Sequence, residues 1–199
     1  MKKLFFVMLS IVLAIIVYKV STKRNSTNYE VVNRINSRVN EVKKIVNSNS
    51  RYNKDIAFFI DMKIPSGKNR FFVYDLKENK IIDKGIVAHG SGSETGVKGK
   101  LKFSNAPNSL STSLGKYCIG NHYNGKFGKA YKLYGLDKTN SNAFIRDIVF
   151  HHYFAVPYKE KDGYICNSFG CPMVNKKYFE RIARIIDNSE SDIIMSIYY

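Results

Sequence analysis

The 199-residue sequence predicts an α+β, mainly β domain with one helix before it and one near its end. Three observations lead there. Short β-branched and aromatic runs alternate with period 2 from Asp55 to about Tyr153. An apolar stripe of three- and four-residue steps precedes them, at Val31, Val32, Ile35, Val39, Val42, Ile45 and Val46. The same helical step returns at Tyr178, Ile182, Ile185 and Ile186. The strands expected are 56–62, 70–75, 81–88, 115–120, 130–136, 147–153 and a closing 193–198, with a hairpin turn at 76–80 between the second and third. The polar, Asn/Ser-rich stretches 21–28 and 47–53 read as linkers on either side of the first helix. The domains expected are therefore 1–20, 21–53 and 54–199. No internal repeat and no Gly-rich phosphate loop is found.

Composition bounds the function. With 44% hydrophobic and 14% aromatic residues the chain is too apolar to be disordered, and its length suits one domain plus appendages. The formal charge of +16 invites nucleic acid, an anionic membrane or an anionic polymer as partner. Its location decides among them: the first 50 residues hold nine Lys/Arg against Glu30 and Glu41. They flank an uncharged run of fifteen residues, 4–18, between Lys2-Lys3 and Lys19. A basic start followed by an apolar run is an export element. Fifteen residues reach roughly 22 Å of a roughly 30 Å hydrocarbon core, which snorkelling lysines can extend. No small-x-small cleavage pattern follows, so residues 1–20 read as a signal anchor, with a cleaved signal peptide as the alternative. The expected location is exported, anchored to the membrane and facing the cell wall or periplasm, or secreted. The basic N-terminus suits an anionic bilayer surface, and export removes nucleic acid as a partner.

Three cysteines leave at least one thiol unpaired or shared between chains; whether Cys118 and Cys166 bridge stays open. Cys171 stands out in Asn167-Ser-Phe-Gly-Cys-Pro172, where Gly170 permits close backbone approach and Pro172 fixes the chain after the thiol. Backbone N–H groups of such a turn, at Gly170 and Cys171, suit a developing oxyanion. A thiol near neutrality needs a base, and His151-His152, twenty and nineteen residues upstream, supply one. Adjacent strand residues point to opposite faces, so only one of the two can reach the thiol. A zinc site from His151, His152, Cys166 and Cys171 fits no paired-ligand spacing, so neither metal nor cofactor is expected. His89, Ser91 and His122, in Gly-containing loops, are candidate cleft residues, as are Arg146 and Ser168.

Residues 61–174 resemble the catalytic domain of the YkuD-like L,D-transpeptidases, in the branch with a Ser-aromatic-Gly-Cys-Pro motif. The landmarks occur in order: Pro65-Ser66, Lys68-Asn-Arg-Phe-Phe-Val-Tyr-Asp-Leu76, Val87-Ala-His-Gly-Ser-Gly92, Phe103-Ser-Asn105, Ser113-Leu-Gly-Lys-Tyr117, Tyr123-Asn-Gly125, Leu133-Tyr-Gly-Leu136, Asn142-Ala143, Arg146-Asp-Ile-Val-Phe-His151 and Ser168-Phe-Gly-Cys-Pro172. The resemblance implies a β-sandwich or barrel in which Cys171 is acylated and His151 is the base, oriented by the backbone carbonyl of His152. It also implies that the donor is a peptidoglycan tetrapeptide stem and that carbapenems acylate the thiol. Two features depart from the family: His152 stands where a small residue usually follows the histidine, and Pro172-Met-Val174 offers no Arg after the motif. The second points to another cation for the stem carboxylates, with Arg146 the candidate. An L,D-carboxypeptidase, a sortase-like transpeptidase and a non-catalytic wall-binding module are the alternatives. A sortase wants Thr-x-Thr-Cys with an Arg close behind, and the first Arg after Cys171 is Arg181. An NlpC/P60-type peptidase would place Cys before His.

Overall fold

In a computed structural model, residues 2–199 are described, with side chains for 13, 15, 18, 19 and 29–199. The chain divides into two units, 1–37 and 38–199, each taken by itself. Helix α1 (Lys2–Ser48) runs without a break through 21–28, which the sequence suggested was a linker. Six of those eight residues, all but Lys23 and Arg24, are poor helix formers, but they contain neither Gly nor Pro, so nothing in them stops propagation. In the first unit Glu30 and Arg34 form an i,i+4 pair at 3.8 Å. The export segment falls mostly outside the residues whose side chains are described. Among the described residues, no helix is long and apolar enough to cross a membrane.

The second unit begins within α1. Val39, Val42 and Val46 are buried there, while Lys43 Nζ donates to Asn79 Oδ1 (2.6 Å) and the Arg38 guanidinium lies over the Tyr198 ring. The strands follow: β1 (Tyr52–Asp61), β2 (Phe71–Asp75), β3 (Lys80–Gly85), β4 (Val87–Ala88), β5 (Gly115–Gly125), β6 (Gly128–Gly135), β7 (Val149–His152) and β8 (Met173–Val174). Helix α2 (Lys176–Asp187) and strand β9 (Asp192–Tyr198) close the chain. One mixed nine-stranded sheet results, in the order β3-β2-β1-β9-β5-β6-β7-β8-β4. It is an open sheet, which corrects the expected sandwich or closed barrel. The expected strand 81–88 is two strands, because β3 pairs with β2 and β4 with β8, on opposite edges of the sheet.

One face of the sheet buries Phe58, Phe71, Tyr131, Leu133, Phe150 and Val174 against Tyr178, Phe179 and Ile182 of α2. Each such side chain contributes about 1.5–3 kcal/mol relative to exposure. The helix is capped by the Asn175 side chain, which accepts from the Lys177 N–H, a cap worth about 1 kcal/mol. Strand β7 therefore has a defined inside: Phe150 and His152 lie against Phe179 at ring distances of 5.2 and 5.4 Å. Val149 and His151 belong to the other face.

Candidate active site

Parallel pairing of β7 with β8 sets His151 opposite Met173. The same register brings Cys171, two residues earlier, beside Val149, and the Val149 N–H donates to Cys171 Sγ at 3.4 Å. Cys171 Sγ also lies 3.6 Å from Asp147 O, which accepts from it. Cys171 and His151 thus sit diagonally on adjacent strands, on the face away from α2. His151 is 6% exposed. Its ring stacks on Phe127, from the tip of the β5–β6 hairpin, at 5.4 Å and 12°. Its Nδ1 lies 3.0 Å from His152 O. A carbonyl only accepts, so Nδ1 carries the proton and Nε2 keeps its lone pair. Among the described residues Nε2 makes no hydrogen bond.

The turn that presents the thiol is clamped from both sides. Ser168 N–H donates to His89 O and Ser91 N–H to Ser168 O, each at 2.8 Å, in a parallel bridge between Gly90 and Ser168. Ser168 Oγ accepts from the Gly170 N–H (3.1 Å). That donor is spent within the turn, which narrows Gly170 to a conformational part. Gly170 has φ +120°, a backbone few L side chains adopt. The Cys171 N–H donates to no protein acceptor among the described residues.

Arg146 is committed to the loop that covers this turn: Nη1 donates to Ser104 O (2.9 Å) and Ser113 Oγ (3.2 Å), and Nη2 to Ser111 O (2.6 Å) and Ser109 Oγ (3.2 Å). It holds the loop in place, and burial lowers its pKa. His89 does not line an open cleft. It is 3% exposed, with Nδ1 accepting from Arg70 Nη2 (2.9 Å) and Nε2 donating to Glu94 Oε1 (2.6 Å). Arg70 is 1% exposed and also donates to Val87 O and Ile64 O. Burial lowers its pKa to about 9, and burial with this guanidinium beside it lowers that of His89. Ser91 is half-buried at the clamp. His122 is not brought to the thiol: it pairs with Tyr131 on the α2 face, 4.0 Å from Asp187 Oδ1.

Sequence reasoning missed Phe127, Lys132 and Asp147. Strand parity was the signal available, since Lys132 pairs with Val149 and so shares its face. All three cysteines are unpaired. Cys118 is buried with Sγ 3.2 Å from Asp192 Oδ2, and burial first, then that carboxylate, pushes its pKa up to about 12. A thiolate there is strongly disfavoured. The set His151, His152, Cys166 and Cys171 is not assembled, because His151 and His152 face opposite ways. Among the described residues no group of three His, Cys, Asp or Glu could hold a metal ion.

Burial raises the Cys171 pKa, against the Val149 N–H and Arg146, which lower it. Burial also lowers that of His151. Both shifts favour the uncharged forms of the thiol and the imidazole. A raised thiol pKa means less thiolate at neutral pH than free cysteine, which titrates near pH ~8.5. Iodoacetamide should therefore modify Cys171 more slowly than free cysteine at pH 7, with a rate that climbs past the usual thiol range. Mass spectrometry of the Cys171 peptide follows this; a fast plateau at roughly pH 5–8 would instead reveal a thiolate–imidazolium pair.

The L,D-transpeptidase catalytic domain model matches residues 23–195, and the chain belongs to that family. No curated protein matches it. Among solved structures it is similar to the helical cell shape determining protein Pgp2 from Campylobacter jejuni, at 14% identity and TM-score 0.47, over 72% of this chain and 47% of that one. It is also similar to the Ldtfm-avibactam carbamoyl enzyme, at 11% identity and TM-score 0.44, over 74% and 50%. An L,D-transpeptidase from Xylanimonas cellulosilytica aligns at 12% identity and TM-score 0.38, over 73% and 61%. The chain spans about half the length of the first two.

Proposed function

We propose that the protein is a cysteine-dependent peptidoglycan L,D-transpeptidase with Cys171 as nucleophile and His151 as base. The observation that carries this reading is Cys171 Sγ held at the Val149 N–H, with His151 two residues on, on the same face, its Nδ1 tied to His152 O. Sγ attacks the carbonyl between the L-centre of the diamino acid and the terminal D-Ala of a tetrapeptide stem. The thiol proton passes to His151 Nε2, and the oxyanion is met by the Cys171 N–H. The C–N bond breaks as His151 protonates the departing D-Ala amine, leaving a thioester. An amine of a neighbouring stem then takes the acyl group and forms a cross-link, or water takes it in an L,D-carboxypeptidase outcome; either restores the thiol. Burial favours the neutral thiol and imidazole, so in this reading the proton moves during attack.

The same thiol is the expected target of carbapenems, which would form an adduct at Cys171. The apolar run 4–18 between basic residues supports export, with the catalytic domain at 54–199 delivered to the cell-wall side as an anchored or secreted protein and the basic N-terminus against an anionic membrane surface.

Incubation of the full chain with tetrapeptide muropeptides, followed by mass spectrometry, tests the reading. Loss of the terminal D-Ala is expected, with dimers or trimmed stems showing the fate of the thioester. No turnover together with tight retention on sacculi would sink it in favour of a wall-binding module. A carbapenem adduct on the Cys118 peptide would move the nucleophile.

A further inference from the structure

Arg146 is engaged by its loop, and a second cation, Lys132, stands on the strand beside β7. Lys132 pairs with Val149 across the β6–β7 ladder, and Val149 is the residue whose N–H holds Cys171 Sγ. Its side chain shares the face of His151 and is 30% exposed. The ammonium is positioned by two rings, 4.8 Å from the Tyr123 centroid and 5.5 Å from that of Phe144. Its acidic neighbour is Asp147 Oδ1, at 3.7 Å, on a carboxylate that is 85% exposed. So loose a surface pair holds the cation weakly, and an incoming carboxylate can replace or share it.

We infer that Lys132 is the specificity residue that binds the free C-terminal carboxylate of the acyl donor, one residue beyond the scissile carbonyl. The inference rests on the transpeptidase reading above. Spacing supports it. Three covalent bonds separate the scissile carbon from the carboxylate carbon of the leaving residue, a span of roughly 3–4 Å. Sγ rests at the Val149 N–H of β7, and Lys132 pairs with Val149 from the neighbouring strand β6, about 4.8 Å away, so the leaving residue and the lysine side chain together bridge that single strand spacing. Tyr123 and Phe144 limit the ammonium's rotamers, reducing the entropy lost on binding. Asp147 has φ +52°, which Asn tolerates as well as Asp, so its charge can be removed without changing the turn.

Calorimetry with a tetrapeptide stem, as the free acid and as the C-terminal amide, tests this in a Cys171→Ala background, where binding is read without turnover. Lys132→Gln should weaken binding of the free acid about tenfold or more and leave the amide unchanged. Asp147→Asn should leave free-acid binding equal or tighter. No effect of Lys132→Gln, an equal effect on acid and amide, or the same loss from Asp147→Asn would overturn the assignment, the last by showing that Lys132 serves only its pair. Failure of the chain with Cys171 intact to release D-Ala, while the acid still binds better than the amide through Lys132, would sink the transpeptidase reading and leave this one standing.

Discussion

Cys171→Ala is expected to abolish D-Ala release, and His151→Ala to lower it by about 10³-fold, within the range a positioned base supplies. His152→Ala should hold the rate within a few-fold. The contrast follows from strand parity. His151 shares the face of Val149 and Cys171, and its free Nε2 is the group able to take the thiol proton. His152 offers only its backbone carbonyl, which alanine retains, while its ring lies edge-on to Phe179 at 5.4 Å. Losing that ring costs about 0.5–1.5 kcal/mol of packing, so His152→Ala should shift the melting temperature rather than the turnover. Measured kcat beside thermal melts separates the two effects. A His152→Ala protein that melts normally but is as slow as His151→Ala would remove His151 from its role.

Legibility in the sequence tracked how local each signal is. Strands such as β1, β2 and β9 announce themselves as short apolar runs rich in Phe, Ile and Tyr, and α2 by its buried stripe. Sheet order is different in kind. β1 runs parallel to β9 and β7 to β8 through long connections that no local pattern encodes. Strand β8, two residues after Pro172, is too short to show any period. The candidate cysteine and the histidine pair were readable from residue chemistry, and strand parity together with the family resemblance made His151 the candidate base. His89 misled because a histidine in a Gly-containing loop looks like a cleft residue. Its burial depends on Arg70, nineteen residues earlier in the chain, and on Glu94. Arg146 misled for a related reason: its four acceptors lie in a loop 33–42 residues away. Lys132 was hidden because lysine on a strand face reads as solvated surface until the partner strand is known.

Gly170→Ala is expected to cost about 10²-fold or more in turnover, for reasons separable from general destabilisation. At φ +120° an alanine is strained by about 1–3 kcal/mol. Its Cβ would also lie 3.0 Å from Ser111 O, 3.0 Å from Ile148 Cδ1 and 3.3 Å from Arg146 Nη2. The isoleucine tip can yield. Ser111 O cannot yield cheaply, because it accepts from Arg146 Nη2 at 2.6 Å and so ties the loop to the guanidinium. The Gly90 backbone is packed close to this turn as well, since a Cβ built at Gly90 would lie 2.9 Å from the Gly170 N and Cα. The displacement must therefore pass into residues 170–171 and move Sγ off the Val149 N–H. Gly96→Ala is the control: its φ of +75° imposes backbone strain, but nothing lies within 4 Å of its Cβ. Both variants should melt earlier than the parent, and only Gly170→Ala should lose turnover. Equal turnover in the two would mean that the cysteine turn adapts, and that the thiol's position does not depend on the packing of Gly170 against Ser111 and Arg146.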